Sequence, residues 1–262
     1  MADALHATRA VRQAFDRAAP GYDAAAGVQR EISQRLAGLM KAYPPVHPPR
    51  CVVDAGCGTG YGLQWLHEQF AQAGHIALDF APAMLQRAVA THAARPLCAD
   101  LQALPLRDAC VDALWSSLAL QWCEPARALG EFARVLRPGA TAWIATLGPA
   151  TLHELREAFA QVDNARHVLA FRSADEWTYI AETAGFELLE RRCETASVRA
   201  ADLRGVIGHL KGIGAHRFDT TPRSPLTRPQ WRRLEQAYEH HRDRQGMLPA
   251  TYDVILLALR RR

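Results

Sequence analysis

The residues best placed to do chemistry in this 262-residue chain gather around Asp54, Gly56, Gly58 and Gly60. The β-favouring run Cys51-Val52-Val53 leads into Asp54, and a glycine then stands at every second position. Such a run reads as a buried parallel strand that turns sharply into a helix. Glycines in the turn admit positive φ and let a ligand lie against the main chain. The dinucleotide-binding spacing G-x-G-x-x-G requires a glycine where Tyr61 stands, so this tighter spacing departs from it. A plain strand–helix connection is the simpler alternative. A second acidic residue, Asp79, follows 19 positions after Gly60, at the tip of an apolar stretch beginning at His75. A carboxylate in that place can accept two hydrogen bonds from ribose hydroxyls. Capping a helix from Ala81 onward is its structural alternative.

The elements that must position these residues are legible in the hydrophobic periods. Val11 and Phe15, then Val28, Ile32, Leu36, Leu39 and Met40, imply two N-terminal helices broken at Pro20-Gly21. A proline-rich linker over 43–49 precedes the first strand. Helical spacing over 61–72, a strand over 75–79, a helix from Pro82 and a short strand over 96–98 follow. The next strand spans 111–115 and exits through Ser116-Ser117-Leu118-Ala119-Leu120-Gln121-Trp122. A helix from Pro125 is stopped by Arg137-Pro138-Gly139, and a fifth strand covers 141–147. Beyond it the spacing predicts helices over 152–162, 174–184, 198–216 and 227–242, with strands over 186–197 and 252–259. Strands alternating with helices imply an α/β fold, a doubly wound, mostly parallel sheet of seven strands. Ligands of such sheets bind at the carboxyl ends of the strands, where the strand order reverses. Three segments are expected: 1–49 as lid helices, 50–150 as the ligand-binding core, and 151–262 completing the sheet and adding a helical cap.

The glycine spacing resembles motif I of the class I S-adenosylmethionine-dependent methyltransferases, and 131–139 resembles the helix and turn that follow their fourth strand. The resemblance implies S-adenosylmethionine as cofactor, with Asp54 at its methionine end and Gly56, Gly58 and Gly60 as its floor. It also implies that Asp79 holds the ribose and that Phe80, Met84, Asp100, Leu101 and Leu118 lie along the adenosine, Asp100 near the exocyclic amine. Met84 reads equally well as a core residue. Tyr22, beside the Pro20-Gly21 hinge, would fold over the methyl donor as a lid; a packing role is its alternative. Three stretches are similar, more narrowly, to the malonyl-[acyl-carrier-protein] O-methyltransferases of biotin synthesis. They are Phe15-Asp16-Arg17-Ala18-Ala19-Pro20-Gly21-Tyr22-Asp23, Ser116 through Cys123, and Leu210-Lys211-Gly212-Ile213-Gly214-Ala215, with Leu226-Thr227-Arg228 and Thr251-Tyr252 following the last. The chain departs from that pattern over 216–225 and near Asn164.

That narrower resemblance implies methyl transfer to the carboxylate of malonyl on acyl carrier protein. Such a carboxylate is ionised at neutral pH and needs no general base, and the sequence offers no obvious dyad. Lys211 is expected to orient it, helped by Arg17 or Arg228, with Gln121 and Trp122 positioning the acyl group; Trp122 also reads as a core seal. Another small carboxylic acid or a quinone-type acceptor is the alternative substrate, and a non-catalytic S-adenosylmethionine-binding regulator the alternative class.

Composition agrees with a folded enzyme: 49% of residues are hydrophobic and 22% charged. The net charge of +4 is too small to argue for nucleic acid. Between Arg199 and Arg244, however, ten Lys/Arg face five acids, a local excess of +5. A basic face there suits an acidic carrier protein. The six cysteines show neither a C-x-x-C pair nor a metal-ligand spacing, so they read as small buried hydrophobes and no metal is expected. With no apolar run near the roughly 18 residues of a membrane span and no signal-like N-terminus, a cytoplasmic monomer off the membrane is expected.

Overall fold

Seven strands, β1 (Cys51–Ala55), β2 (Gly74–Asp79), β3 (Arg95–Cys98), β4 (Val111–Ser117), β5 (Leu136–Leu147), β6 (Phe186–Ala200) and β7 (Leu248–Arg261), form one sheet in the order β3-β2-β1-β4-β5-β7-β6. The computed structural model describes residues 2–163, 165–213 and 225–262. The first five strands are parallel, and β7 runs antiparallel to both β5 and β6. The chain winds outward from β1 to β3, then returns to lay β4 on the other side of β1. That reversal opens a crevice above the carboxyl ends of β1 and β4.

The helices are α1 (Ala2–Ala18), α2 (Tyr22–Ala25), α3 (Gly27–Ala42), α4 (Tyr61–Gln69), α5 (Pro82–Thr91), α6 (Pro125–Val135), α7 (His153–Ala160), α8 (Ala174–Thr183), α9 (Leu203–Gly212) and α10 (Arg228–Glu239). Local chemistry starts several of them. Glu124 accepts the Ala126 and Arg127 amides ahead of α6, whose first residue is Pro125. Ser173 with Glu176, and Thr227 with Gln230, form reciprocal capping boxes for α8 and α10.

Both faces of the sheet are covered, which explains the unbroken apolar run of β7. Val254, Leu256 and Ala258 join a core with α3 residues Ile32, Leu36 and Met40 and with Trp115 and Trp143. Ile255, Leu257 and Leu259 join the opposite core with Leu129, Phe132 and Trp177. Among the described residues no helix is long and apolar enough to cross a membrane.

Four expectations are corrected. The N-terminal region contains three helical pieces, because the 3-10 turn Ala19–Gly21 is followed by the separate short helix α2. Arg137-Pro138-Gly139 is no interval before the fifth strand. β5 already begins at Leu136, which pairs with Val111, and a register shift with Gly139 at φ +79° absorbs the irregularity. Val198, Arg199 and Ala200 extend β6 against Ala250, Pro249 and Leu248 instead of starting a helix. Of the six unpaired cysteines only Cys57 is buried; Cys98 and Cys193 are exposed.

Candidate active site

A cavity opens at the crevice, where ligands of such sheets bind. Each of the first four strands delivers wall residues through the loop at its carboxyl end. Gly56 and Gly58 follow β1, Asp79 and Phe80 follow or end β2, Asp100, Leu101 and Gln102 follow β3, and Ser117, Leu118 and Ala119 follow or end β4. Met84 of α5 and Trp122 and Cys123 beyond β4 complete one side, while Phe15 and Tyr22 roof it.

The glycine loop is set by close approach. Gly56 has φ +82°, and a Cβ there would come within 2.2 Å of the Ala119 Cβ, so only glycine lets the β1 and β4 loops touch. The Gly56 and Cys57 amides donate to the Leu78 carbonyl at 2.8 and 2.9 Å. Asp79 then locks the loop: its Oδ2 accepts the Gly58 amide at 2.9 Å, and its Oδ1 accepts the Ala81 amide at 2.8 Å. A carboxylate has about four acceptor positions, and Asp79 lines the cavity, so the helix-start role leaves acceptor capacity on the same side chain for a ribose. Burial pushes Asp79 up to about 6, against the lowering effect of those two amides.

Asp54 lies beneath the floor rather than on the cavity wall. A Cβ on Gly62 would meet Asp54 Oδ2 at 2.4 Å and Trp115 Nε1 at 2.6 Å, so the first turn of α4 can sit directly on this pair only because residue 62 is glycine. Asp54 Oδ2 and Trp115 Nε1 are both buried without a hydrogen-bond partner among the described residues. Burial, then the nearby Asp79 charge, raises Asp54 to about 8. A buried carboxylate oxygen with no donor demands a cation or a proton. Asp79, on the wall, is thus placed to meet the ribose of a nucleoside, whereas Asp54 is set behind Gly62 and forms no part of the wall.

The roof is aromatic. Phe15 packs edge-on against Trp122 at 5.5 Å and against Phe80 at 6.2 Å, and Tyr22 joins Phe15, Phe80, Met84 and Ala19 in one apolar cluster. Burial, then Asp79, holds the Tyr22 hydroxyl above its ordinary range, so it stays protonated and can donate. A latch holds the roof down. Asp23 accepts from Thr59 Oγ1 of the glycine loop at 2.6 Å and from Arg87 of α5 at 3.0 Å. Asp16 of α1 accepts the Ala83 amide at 3.0 Å.

Of the residues expected from sequence, Tyr22, Gly56, Gly58, Asp79, Phe80, Met84, Asp100, Leu101, Leu118 and Trp122 line the cavity. Gly60 does not: it faces Ala88 and His92 under α5. Asp100 lines the wall with Oδ1 engaged by the Gln102 amide at 2.9 Å. Gln121 stands next to the wall, its Oε1 buried and unpartnered among the described residues. Lys211 is exposed on the last turn of α9 and does not line the cavity. Sequence reasoning missed Phe15, Gln102, Ser117, Ala119 and Cys123 as wall residues. Phe15 stood at helical spacing like any core residue, and Ala119 is identified only by its contact with Gly56. Leu118 holds an uncommon φ of +55°, pinned by its amide donating to the Ala145 carbonyl at 2.8 Å.

Comparison with known proteins decides the family. Residues 53–144, which contain β1 and the glycine loop, match the family described as Methyltransferase domain. A malonyl-[acyl-carrier protein] O-methyltransferase of Dechloromonas aromatica (strain RCB) is 45% identical over 252 residues, 96% of this chain and 94% of that protein. This chain belongs to the malonyl-[acyl-carrier protein] O-methyltransferase family. A second relative so named, from Herminiimonas arsenicoxydans, is 38% identical over 93% of this chain and 92% of its own length. A solved structure from Bacillus halodurans C-125 shares the fold at TM-score 0.60 and 18% identity, covering 86% of this chain and 97% of that one. Members of the malonyl-[acyl-carrier protein] O-methyltransferase family with this methyltransferase core use S-adenosylmethionine, and so does this chain. The Asp79 carboxylate and the glycine floor on the cavity wall fit that cofactor.

Proposed function

We propose that this chain esterifies the free carboxylate of malonyl carried as a thioester on acyl carrier protein, giving the methyl ester that primes pimeloyl assembly for biotin. S-adenosylmethionine supplies a methyl group on a sulfonium, an electrophile that a carboxylate attacks in line. The chain's own residues then have three tasks. Asp79 and the floor of Gly56 and Gly58 hold the cofactor in one pose, with Asp54 under that floor. Phe15, Tyr22, Phe80 and Trp122 exclude water, which strips solvation from the attacking carboxylate. Neutral donors, the Tyr22 hydroxyl foremost, orient that carboxylate without quenching its nucleophilicity, and because it is already ionised no general base is required.

The observation that carries this reading is a cavity at the strand tips in a chain that matches the 45%-identical relative over 96% of its length. Lys211 serves the acceptor from outside the wall. The last turn of α9 abuts the roof, since a Cβ on Gly212 would lie 2.7 Å from the Ala25 Cβ of α2. That neighbourhood supports a role for Lys211 in steering an incoming anion toward the site. The rest of the Leu-Lys-Gly-Ile-Gly-Ala stretch, Gly214 and Ala215, lies outside the described residues, as do Arg217 and Arg223 of the basic stretch. What supports a basic carrier-docking face is the groove between α9 and α10. It is lined by Arg204, Leu226, Arg228, Trp231, Arg232 and Glu235, with the Arg204 guanidinium 5.9 Å from the Trp231 ring centroid. Three arginines against one glutamate suit an acidic helix or a prosthetic-group phosphate. Residues 1–49 act as the lid and 151–262 as the sheet edge and cap, in a monomer working in the cytoplasm.

Incubation with methyl-labelled cofactor and either malonyl-carrier protein or malonyl-coenzyme A tests the assignment. A base-labile methyl ester on the malonyl group, identified by mass spectrometry, is the expected product. Labelled cofactor consumed only with another carboxylic acid would reassign the acceptor. Cofactor binding without methylation of any acceptor would make the chain a regulator.

A further inference from the structure

His153 and Glu157 stand one turn apart on α7, and His241, just beyond α10, faces them. His153 Nδ1 lies 3.5 Å from Glu157 Oε1, and His241 Nε2 lies 3.6 Å from Glu157 Oε2. One donor atom from each of the three falls within 4.8 Å of the others. We propose that His153, Glu157 and His241 form a binding site for a divalent transition-metal ion of the zinc class, which staples α10 to α7.

Two imidazole nitrogens and one carboxylate are the donor set that zinc, cobalt and nickel favour over magnesium or calcium. Metal–donor bonds of about 2.0–2.1 Å put neighbouring donors of a tetrahedron about 3.4 Å apart. The two separations to Glu157 are therefore close to those of a filled site. They are too long for direct hydrogen bonds, so the donors converge without satisfying one another. Closing the remaining gap needs only side-chain rotation: His153 is 38% exposed and Glu157 61%.

The surroundings brace two of the three donors. His153 turns its second nitrogen, Nε2, toward Oε1 of Glu154 at 3.6 Å. Glu154 is 2% exposed and is itself held by the Thr251 amide and hydroxyl. A small rotation of the His153 ring would bring that carboxylate within hydrogen-bond reach, where it would fix the tautomer and aim the ring at an ion. His241 packs edge-on against the buried Tyr238 at 5.7 Å, and Tyr238 is anchored by donating to the Pro249 carbonyl at 2.8 Å. A water would complete four-coordination on the exposed side. The inference is independent of the acceptor assignment, although α10 also carries Arg228 and Arg232.

The full chain, stripped with a chelator and titrated with zinc chloride or cobalt chloride, tests the site by calorimetry and thermal melting. The expected result is one ion bound with a rise in melting temperature. Cobalt should give visible d–d absorption without the intense ultraviolet band of thiolate ligation. His241→Ala and Glu157→Gln should each weaken binding at least about tenfold and remove the melting shift, while the metal-free proteins melt close to the wild type. Absence of a metal-dependent shift in the wild type would overturn the proposal, as would a shift retained in both variants or cobalt spectra dominated by thiolate. Glu157→Gln, at an exposed position, keeps the test decisive should His241→Ala fold poorly.

Discussion

Asp79 and Gly58 are joined by one hydrogen bond, the Gly58 amide donating to Asp79 Oδ2 at 2.9 Å, and it makes the second strand part of the first strand's loop. The carboxylate proposed to hold the cofactor's ribose is also the clamp that shapes the glycine floor. Asp79→Ala removes both roles and leaves the Gly58 and Ala81 amides unpaired, a cost of ~1–3 kcal/mol for each buried group. Cofactor affinity, read by calorimetry, should fall by roughly 100-fold or more, and Asp79→Asn should lose less because its carbonyl can still accept.

The two floor carboxylates make the cofactor-free protein sensitive to pH. Asp54 and Asp79 are raised to about 8 and about 6, above an unfolded value of 3.8. Their stabilising contribution is full below about pH 4 and is lost as pH rises through 6 and then 8. Asp54→Asn should melt above the wild type at pH 8.5 and converge with it near pH 4, each kcal/mol recovered appearing as roughly 2–4 °C.

Neighbouring glycines should respond differently to the same methyl group. Gly56→Ala drives a Cβ into Ala119 at positive φ, an overpacking and strain cost of about 2–5 kcal/mol. Gly58→Ala also sits at positive φ but meets nothing within 4 Å, since its Cβ points into the cavity. It should cost only about 1–2 kcal/mol in denaturant melts while weakening the cofactor by occupying its space.

The roof latch governs how long the cofactor stays. Asp23→Ala cuts the bonds from Thr59 and Arg87. The Arg87 pair is partly exposed and is worth only ~0.2–1 kcal/mol, so global stability should change little. Stopped-flow measurement of cofactor release should show the off-rate rising about tenfold, close to the ~1.4 kcal/mol expected of the charge-assisted bond from Thr59.

Charge at the cap should act on the partner and leave the cofactor alone. Arg204→Glu and Arg232→Glu in the α9–α10 groove should raise KM for malonyl-carrier protein several-fold and flatten its salt dependence. Cofactor affinity and activity on malonyl-coenzyme A should be nearly unchanged. Lys211→Ala should lower kcat/KM for the acceptor with cofactor binding intact.

What the chain's order of residues determined by itself is the sheet and the four loops that meet above it. Apolar runs of strand length, each followed by helical spacing, are local signals, and so are the glycines and acids at the strand tips. Asp79 and Gly58 could be proposed from their places at and just after strand tips that face the crevice, and Leu101 and Phe80 from the methyltransferase resemblance. Only the tertiary structure decided which side chains become wall, floor or exterior. Asp54 lies under Gly62 and not against the ligand space, Phe15 arrives from a helix remote in sequence, and Lys211 is left in solvent on α9. The capping of α8 and α10 is written in adjacent residues, whereas the meeting of His153 with His241 depends on how α7 packs against α10. The physical reason is the same in each instance: turn chemistry acts over a few residues, but exposure depends on which face of an element its neighbours cover.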